Sequence, residues 1–130
     1  MFARHLAAVA EERGWALRSV GAHPGYTRTN LQNAGPNLGR TRPSLMSWGA
    51  NALPLPVQLP AQGAEPLLFA AADPAAENGA YYGPSGRFEL SGPTAPARVP
   101  ARARDTAAAA RLWSVAETLT GVTLPAASNR

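Results

Sequence analysis

The 130-residue chain contains no cysteine, and its twelve basic residues are all arginines, since it has no lysine either. The missing thiols exclude disulfide bridges, thiolate metal sites and a cysteine nucleophile. The two histidines, His5 and His23, are too few for a histidine-rich metal site. We therefore predict no metal centre.

Long apolar runs are also missing. No run approaches the ~20 residues that a membrane-spanning helix needs. Arg4 and His5 interrupt the position at which a signal peptide would have its apolar segment. We therefore expect a cytoplasmic protein without a membrane span.

The positive charge does not by itself indicate nucleic-acid binding, although the formal net charge is +4. Four arginines cluster near the C-terminal helix, namely Arg98, Arg102, Arg104 and Arg111. A phosphate-binding stripe normally has more basic residues on one face, with stacking aromatics or a groove-reading motif beside it. We expect these arginines to be solvated and predict no nucleic-acid partner.

The N-terminal part of the chain predicts a helix followed by a strand. Residues 2–13 have helical apolar spacing, and Gly14 is a typical residue to follow a helix C-terminus. Residues 16–22 are typical of a short buried strand, which the Pro24-Gly25 pair ends. A helix, a strand and then a polar loop indicate α/β architecture.

The rest of the chain predicts further elements. Residues 32–60 are rich in proline, with a short helix at 44–52, and residues 61–73 suit a helix whose Pro66 must lie in the first turn or kink it. Residues 79–90 predict a strand, a turn and another short strand, and 94–104 a loose connector. Asp105 then caps a helix to Thr120, with Ala108, Leu112, Val115 and Leu119 as its apolar stripe and Gly121 at its end.

Four segments in register resemble one family. They are "AHPGYTRTNL", "QGAEPLLFAAADP", "NGAYYGPSGRFELSG" and "RLWSVAETLTGV". Their order and spacing resemble the C-terminal part of short-chain dehydrogenases/reductases, and most of all the retinol-dehydrogenase and protochlorophyllide-reductase-like branch. The resemblance implies that residues 1–122 are a C-terminal fragment of a doubly wound Rossmann-type fold, in the order helix-strand-loop-helix-strand-helix, and that residues 123–130 are a flexible tail.

The same resemblance implies an NAD(P)-dependent oxidoreductase that acts on an alcohol or carbonyl substrate. The family's Gly-rich phosphate turn and its catalytic Tyr-x-x-x-Lys pair have no match here, and the pair is impossible in a chain without lysine. We therefore assign no catalytic residue to this chain and expect it to be inactive alone. We do not expect His23 to act as a catalytic base, and we expect Tyr81 and Tyr82 to be packing residues.

The resemblance also implies cofactor and substrate contacts. Pro24 and Gly25 would let the backbone lie close to the nicotinamide ring. The Thr27 backbone and the Thr29 hydroxyl would bond its carboxamide, or the pyrophosphate in the case of Thr29. Residues Leu45, Met46 and Trp48 lie where the family has an apolar substrate lid, which suits a lipophilic substrate, although ordinary loop anchoring explains them equally well.

Two alternatives remain at this point. The loop at Pro24 is also compatible with an ordinary strand-to-helix turn, with Thr29 as a cap. The whole chain is compatible with a non-catalytic interaction module that packs against a full-length relative or a second copy through helix 2–13. Because only the strand near residues 80–83 is available to pair with residues 16–22, we also predict low stability for the isolated chain.

Overall fold

The computed structural model describes residues 1–28 and 56–125. These residues form an α/β structure, which confirms the predicted class, with a three-stranded mixed sheet in the order β1-β2-β3. The strands are β1 (Gly21–Ala22), β2 (Tyr81–Pro84) and β3 (Thr94–Pro96), and the helices are α1 (Phe2–Glu12), α2 (Pro60–Ala72), α3 (Ala101–Arg104), α4 (Thr106–Thr120) and a 3-10 turn (Arg87–Glu89).

The sheet combines one parallel and one antiparallel pair. Strand β1 runs parallel to β2, with Gly21 opposite Tyr81 and Ala22 opposite Tyr82. Strand β3 runs antiparallel to β2 and returns the chain along its other side. The carboxyl ends of β1 and β2 therefore lie at the same edge of the sheet, which is where open α/β proteins bind ligands.

Strand β1 is much shorter than the strand predicted at residues 16–22. Before Gly21 the chain bonds to a turn instead of a strand: the Ser19 amide donates to the Asn78 side chain at 2.9 Å, and the Gly79 amide donates to the Ser19 carbonyl at 2.9 Å. Strand β2 starts only at Tyr81, so the residues before Gly21 have no strand beside them to pair with.

Strand β3 was not predicted, because its sequence "TAP" lies in what reads as a loose connector. The predicted second strand within residues 79–90 is also wrong, since that position holds the 3-10 turn. The loop between β2 and β3 is closed by two backbone bonds, from Ser85 to Pro93 at 2.9 Å and from Gly86 to Ser91 at 2.8 Å. This closure brings β3 back onto β2 and gives three strands rather than two.

Helix α1 agrees with the predicted helix at 2–13 and lies on one face of the molecule. Its most buried residues are Ala7 and Ala10, and the Asn78 side chain donates to the Ala7 carbonyl at 3.2 Å. Gly14 follows the helix with a φ of +65°, as expected for a residue after a C-terminus.

Helix α2 packs on the sheet through small residues and one proline. The Leu59 amide donates to the Gln62 side chain at 3.0 Å, which satisfies an amide at the helix start. Pro66 lies in the middle of the helix, not in its first turn, and is fully buried. The Phe69 ring meets the Tyr82 ring edge-on, with centroids 4.8 Å apart.

Helix α4 begins and ends as predicted, but its buried face is different. The Asp105 carboxylate accepts the Ala108 amide at 2.9 Å, and Gly121 follows the helix with a left-handed backbone. The predicted stripe is wrong, because its larger members lie in solvent: Leu112 is 41% exposed, Val115 50% and Leu119 81%.

The buried face of α4 is set by α1 instead. Ala109 is buried, and the Trp113 ring packs against Phe2 and His5, with centroids 5.0 and 5.2 Å apart. These rings turn the Leu112 side of the helix outward. The contact also covers part of the α1 surface through which a partner was expected to bind.

Some expectations concern residues near or beyond the ends of the described ranges. The predicted helix at 44–52 and residues 126–130 lie outside them. The chain just after α4 has contacts: the Leu124 amide donates to the Glu117 carboxylate at 3.4 Å, and the Arg13 guanidinium donates to the Pro125 carbonyl at 2.7 Å. Among the helices of the described ranges, none has the length and apolar character that crossing a membrane requires.

Candidate functional site

Two loops meet at the carboxyl ends of β1 and β2. The first, which we call the Pro-Gly loop (residues 23–28), follows β1. The second, the hairpin loop (residues 85–93), joins β2 to β3. The Tyr26 amide of the first loop donates to the Leu90 carbonyl of the second at 2.6 Å. The two loops therefore form one surface at the edge of the sheet where a ligand site is expected.

Gly25 is required by this loop contact. Its φ is +64°, a conformation that favours glycine. A Cβ at this position would lie 2.5 Å from the Leu90 carbonyl oxygen and 2.6 Å from the Pro84 ring. The family resemblance implies that Gly25 allows the approach of a cofactor ring. The structure also gives a reason within the protein, because the Pro-Gly loop lies directly on the hairpin loop.

Gln58 holds both loops, and it is buried, with only 4% of its surface exposed. Its side-chain amide donates to the Pro24 carbonyl at 2.5 Å and accepts the Gly92 amide at 3.2 Å. Its backbone N–H donates to the Tyr26 carbonyl at 3.0 Å, and its carbonyl accepts the Arg28 amide at 3.0 Å. One residue thus fixes the Pro-Gly loop from both its backbone and its side chain.

The role of Gln58 in holding the two loops was not predicted from the sequence. Its apolar neighbours Val57 and Leu59 are 38% and 65% exposed, while the glutamine between them is buried. This order is the reverse of what hydropathy predicts. The only signal in the sequence is a polar residue between two apolar ones in a proline-rich segment. This pattern is too common to identify a buried residue that holds two loops.

Thr27 lies against the start of helix α2. Its hydroxyl donates to the Pro24 carbonyl at 2.9 Å, and a Cβ on Gly63 would overlap the Thr27 side chain. Thr27 pairs with Gln58 as an isolated parallel bridge. In such a bridge the bonds come from the residues on either side of Thr27, so the N–H and C=O of Thr27 itself face away from Gln58.

His23 begins the Pro-Gly loop and is oriented by three contacts. Its Nδ1 accepts the Gly25 amide at 3.2 Å, so the neutral ring has its proton on Nε2. Its ring stacks on Tyr81 at 5.3 Å. Its Nε2 is buried and makes no hydrogen bond within residues 1–28 and 56–125, but lies 3.5 Å from a carboxylate oxygen of Glu89.

The carboxylate beside His23 is presented by a strained backbone. Phe88 and Glu89 have φ values of 58° and 56°, which is uncommon for residues other than glycine. The other carboxylate oxygen of Glu89 accepts the Arg98 amide at 2.7 Å, while Phe88 is 76% exposed. This pair was not predicted from the sequence. Glycine is the residue that usually adopts such angles, and the nearby glycines at 86 and 92 are the positions where they would be expected.

The remaining predicted site residues lie outside the described ranges, and Tyr82, which was expected to be a packing residue, lies within them. Thr29, Leu45, Met46 and Trp48 lie outside the described residues. Tyr82 is buried and its hydroxyl accepts the Glu77 amide at 3.0 Å, which confirms that it is a packing residue. Within the ranges that the structure describes, no three acidic or histidine side chains converge in a way that would hold a metal ion.

The fold and the loops define a small α/β protein with a closed loop cluster at the carboxyl ends of two parallel strands. No protein-family model matches the chain, and no curated protein does. A solved structure does resemble it: an uncharacterized protein from Mycobacterium paratuberculosis, with a TM-score of 0.64 and 30% sequence identity. The similarity covers 96% of this chain and 36% of that one, so this chain spans about a third of the length of the protein that it matches.

Proposed function

We propose that this chain is the C-terminal part of an NAD(P)-dependent short-chain dehydrogenase, and that its Pro-Gly loop forms one wall of the nicotinamide site. The observation that carries the proposal is the position of this loop. It follows the carboxyl end of a parallel strand and is held there by Gln58. The four sequence segments that resemble the family add the activity and the cofactor.

The loop has the groups that a nicotinamide carboxamide requires. An amide needs both a hydrogen-bond donor and an acceptor. The family resemblance assigns this role to the backbone of Thr27, which lies in the loop held by Gln58. The cofactor, when bound, supplies or accepts the hydride. The Pro-Gly loop would hold the nicotinamide ring in position at the edge of the sheet.

The remaining contacts follow the family resemblance. The Thr29 hydroxyl would bond the carboxamide or the pyrophosphate. Leu45, Met46 and Trp48 would cover an alcohol or carbonyl substrate of lipophilic character. The tyrosine and lysine that transfer and assist the proton would come from a segment outside this sequence, because this chain has no lysine.

The similar solved structure supports an origin in a larger protein. The segment that resembles this chain makes up 36% of that protein, so the same fold occurs there together with a longer polypeptide. The sequence of this chain has no Gly-rich phosphate turn. A cofactor site therefore needs a second segment, which a longer polypeptide would supply.

The experiment compares the free chain with a chimera. The chimera joins this chain to the part of the Mycobacterium paratuberculosis protein that has no counterpart here. Both are mixed with NADH or NADPH and a panel of lipophilic aldehydes, and the cofactor absorbance is followed. We expect oxidation by the chimera and none by the free chain.

A variant of the chimera tests whether the Thr29 hydroxyl contributes to cofactor binding. In the chimera, Thr29→Val removes the hydroxyl and is expected to raise the KM for the cofactor about tenfold, the effect of losing one hydrogen bond of ~1.4 kcal/mol. Oxidation by the free chain would refute the proposal, and so would a chimera that binds neither cofactor.

A second function is favoured by a separate observation on helix α4. The side chains of Leu112, Val115 and Leu119 lie exposed at helical spacing, and Val122 beyond the helix is 70% exposed. Such a surface suits a non-catalytic module that packs against a full-length relative. Light scattering with the purified relative tests it: a complex that Leu119→Ser abolishes, without cofactor turnover by any form of the chain, favours the module.

A further inference from the structure

The peptide group between Pro24 and Gly25 is held at both of its ends. Its carbonyl accepts the Gln58 side-chain amide at 2.5 Å and the Thr27 hydroxyl at 2.9 Å. Its N–H donates to Nδ1 of His23 at 3.2 Å. The two bonds at the carbonyl come from an amide and a hydroxyl, which keep their protons at ordinary pH, whereas the bond at the N–H depends on the protonation state of a histidine.

Protonation of His23 removes the acceptor for the Gly25 N–H. The neutral ring accepts this bond through an unprotonated Nδ1, so its proton is on Nε2. The second proton of the charged ring must then add to Nδ1. In that form Nδ1–H and the Gly25 N–H are two donors that face each other, and the hydrogen bond between them is lost.

The surroundings of the ring restrict its movement. The His23 ring stacks on Tyr81, with centroids 5.3 Å apart, and a Cβ on Gly83 would overlap it. Because β2 closes these two sides of the ring, the Gly25 backbone is the part that can change conformation. Glycine has the widest range of φ and ψ, so this change costs less at Gly25 than at any other residue type.

Glu89 is placed to stabilise the charged ring. One of its carboxylate oxygens lies 3.5 Å from Nε2 of His23, and the other accepts the Arg98 amide at 2.7 Å. Nε2 is buried and has no hydrogen bond within the described residues. A positive ring attracts the carboxylate, and a small movement gives a charge-assisted bond of about 2.8 Å.

The titratable groups that face the ring, in the part of the chain that the structure describes, are Glu89 from the hairpin loop and Tyr81 from β2. Glutamates and tyrosines ordinarily keep one charge state between about pH 5.5 and 8. Histidine is the side chain that ordinarily changes its charge in this range. A response of the loop between these pH values therefore reports His23.

We propose that His23 is a pH-dependent positioning residue for the Pro-Gly loop. In its neutral form it holds the Gly25 N–H, and in its charged form it releases that N–H and pairs with Glu89. The carbonyl of the same peptide group stays bonded to Gln58, so the change is confined to Gly25 and the residues beside it. This inference concerns the chain alone and does not rest on the proposed function.

Amide hydrogen exchange of the chain without cofactor, measured residue by residue at a series of pH values, tests the proposal. Each rate is divided by the rate of an unfolded peptide at the same pH, because the intrinsic rate also varies with pH. We expect the protection of the Gly25 amide to fall at least ~10-fold between about pH 8 and 5.5. The Tyr26 and Arg28 amides donate to backbone carbonyls, so their protection should change less than ~3-fold.

The nitrogen NMR shifts of the His23 ring give an independent readout. At about pH 8 we expect the pattern of a ring protonated at Nε2 alone, and at about pH 5.5 that of a ring protonated at both nitrogens. The titration of the ring and the loss of Gly25 protection should have the same midpoint.

Three substitutions separate this role from a merely structural one. His23→Asn retains an acceptor for the amide two residues further on but does not titrate, so Gly25 should stay protected at both pH values. His5→Asn removes the other histidine, which lies in α1, and should leave the pH response unchanged. Glu89→Gln removes the negative charge but keeps a carbonyl acceptor, and should move the midpoint at least ~0.5 pH units lower.

Several results would overturn the inference. Gly25 protection that follows Tyr26 and Arg28 at every pH means that no bond is lost, and a neutral ring with its proton on Nδ1 means that the bond does not form. A pH response that persists in His23→Asn, disappears in His5→Asn or keeps its midpoint in Glu89→Gln also contradicts it. If His23→Asn does not fold, the ring shifts and the exchange of the unchanged chain decide.

Discussion

The carboxyl end of β1 and its outer edge are a few residues apart and differ in almost every respect. At the carboxyl end, the Pro-Gly loop bonds to Gln58 and to the hairpin loop, and glycine is required where the two loops touch. At the outer edge, the backbone groups of Val20 and Ala22 have no partner in the described residues. A groove lies beside them, and it is also lined by Arg18, Leu67, Ala70 and Ala71.

The two regions differ in whether their backbone groups have partners within the described residues. A closed loop cluster can hold its conformation before any ligand or partner binds, which preorganises a binding surface. An unpaired edge cannot bury its backbone groups alone. The loop cluster is therefore formed within this chain, whereas the outer edge of β1 has no strand beside it in the described residues.

The largest expected effect comes from breaking the closed side with Gly25→Ala. The new Cβ meets the Leu90 carbonyl and the Pro84 ring in addition to the unfavourable φ of +64°, and we expect a loss of about 3 kcal/mol in the free energy of unfolding. Urea denaturation measures it. Gly14→Ala is the matched control, because Gly14 has a φ of +65° and open space around it, and should cost only ~1 kcal/mol. Equal losses would show that the loops are not in tight contact.

Gln58→Leu is expected to have the next largest effect. It keeps much of the side-chain volume but leaves the Gly92 amide without its partner and the Pro24 carbonyl with the Thr27 hydroxyl alone, at a cost of about 2 kcal/mol. Denaturation again measures the loss. The control is Gln62→Leu, at an exposed glutamine that accepts only the Leu59 amide, with an expected cost below ~1 kcal/mol. If the loss in the free energy of unfolding at Gln58 were no greater than at Gln62, Gln58 would not hold the two loops.

A smaller effect, of opposite sign, is expected from Phe88→Asn in the hairpin loop. Phe88 is 76% exposed and has a φ of 58°, a conformation that asparagine adopts more readily. We expect a gain of ~0.5 kcal/mol in stability, measured as a rise in the melting temperature. A lower melting temperature would mean that the aromatic ring stabilises the closed side more than its backbone strain costs.

The smallest effect is expected on the open side. Ala71→Arg changes a residue that is exposed in the free chain, so the stability of that chain should change by no more than ~0.5 kcal/mol. A large loss of stability in the free chain would show that the groove is already filled by the chain itself.

The sequence was sufficient for elements whose signals are local. Helix α4 was predicted from the cap at Asp105 and the glycine after its end, and both lie within the segment. The Pro-Gly loop was recognised from its own residues for the same reason. A local signal remains visible when the rest of the structure is unknown, because it depends on backbone conformation and not on distant packing.

Features that depend on distant partners could not be predicted. Strand β3 is defined by pairing with β2, not by its own proline-flanked sequence. Gln58 is identified by a bond to a carbonyl 34 positions away. The orientation of α4 depends on the rings of Phe2 and His5 around Trp113, so a helical stripe of leucine and valine wrongly indicated the buried face.

Within the described residues, β1 is paired on one side and unpaired on the other. Residue-resolved hydrogen exchange of the free, monomeric chain tests it most directly, because the relevant amides alternate along a single strand. We expect slow exchange at Gly21 and His23, whose amides bond to the Ala80 and Tyr82 carbonyls, and fast exchange at Val20 and Ala22. Equal protection of all four amides would contradict it.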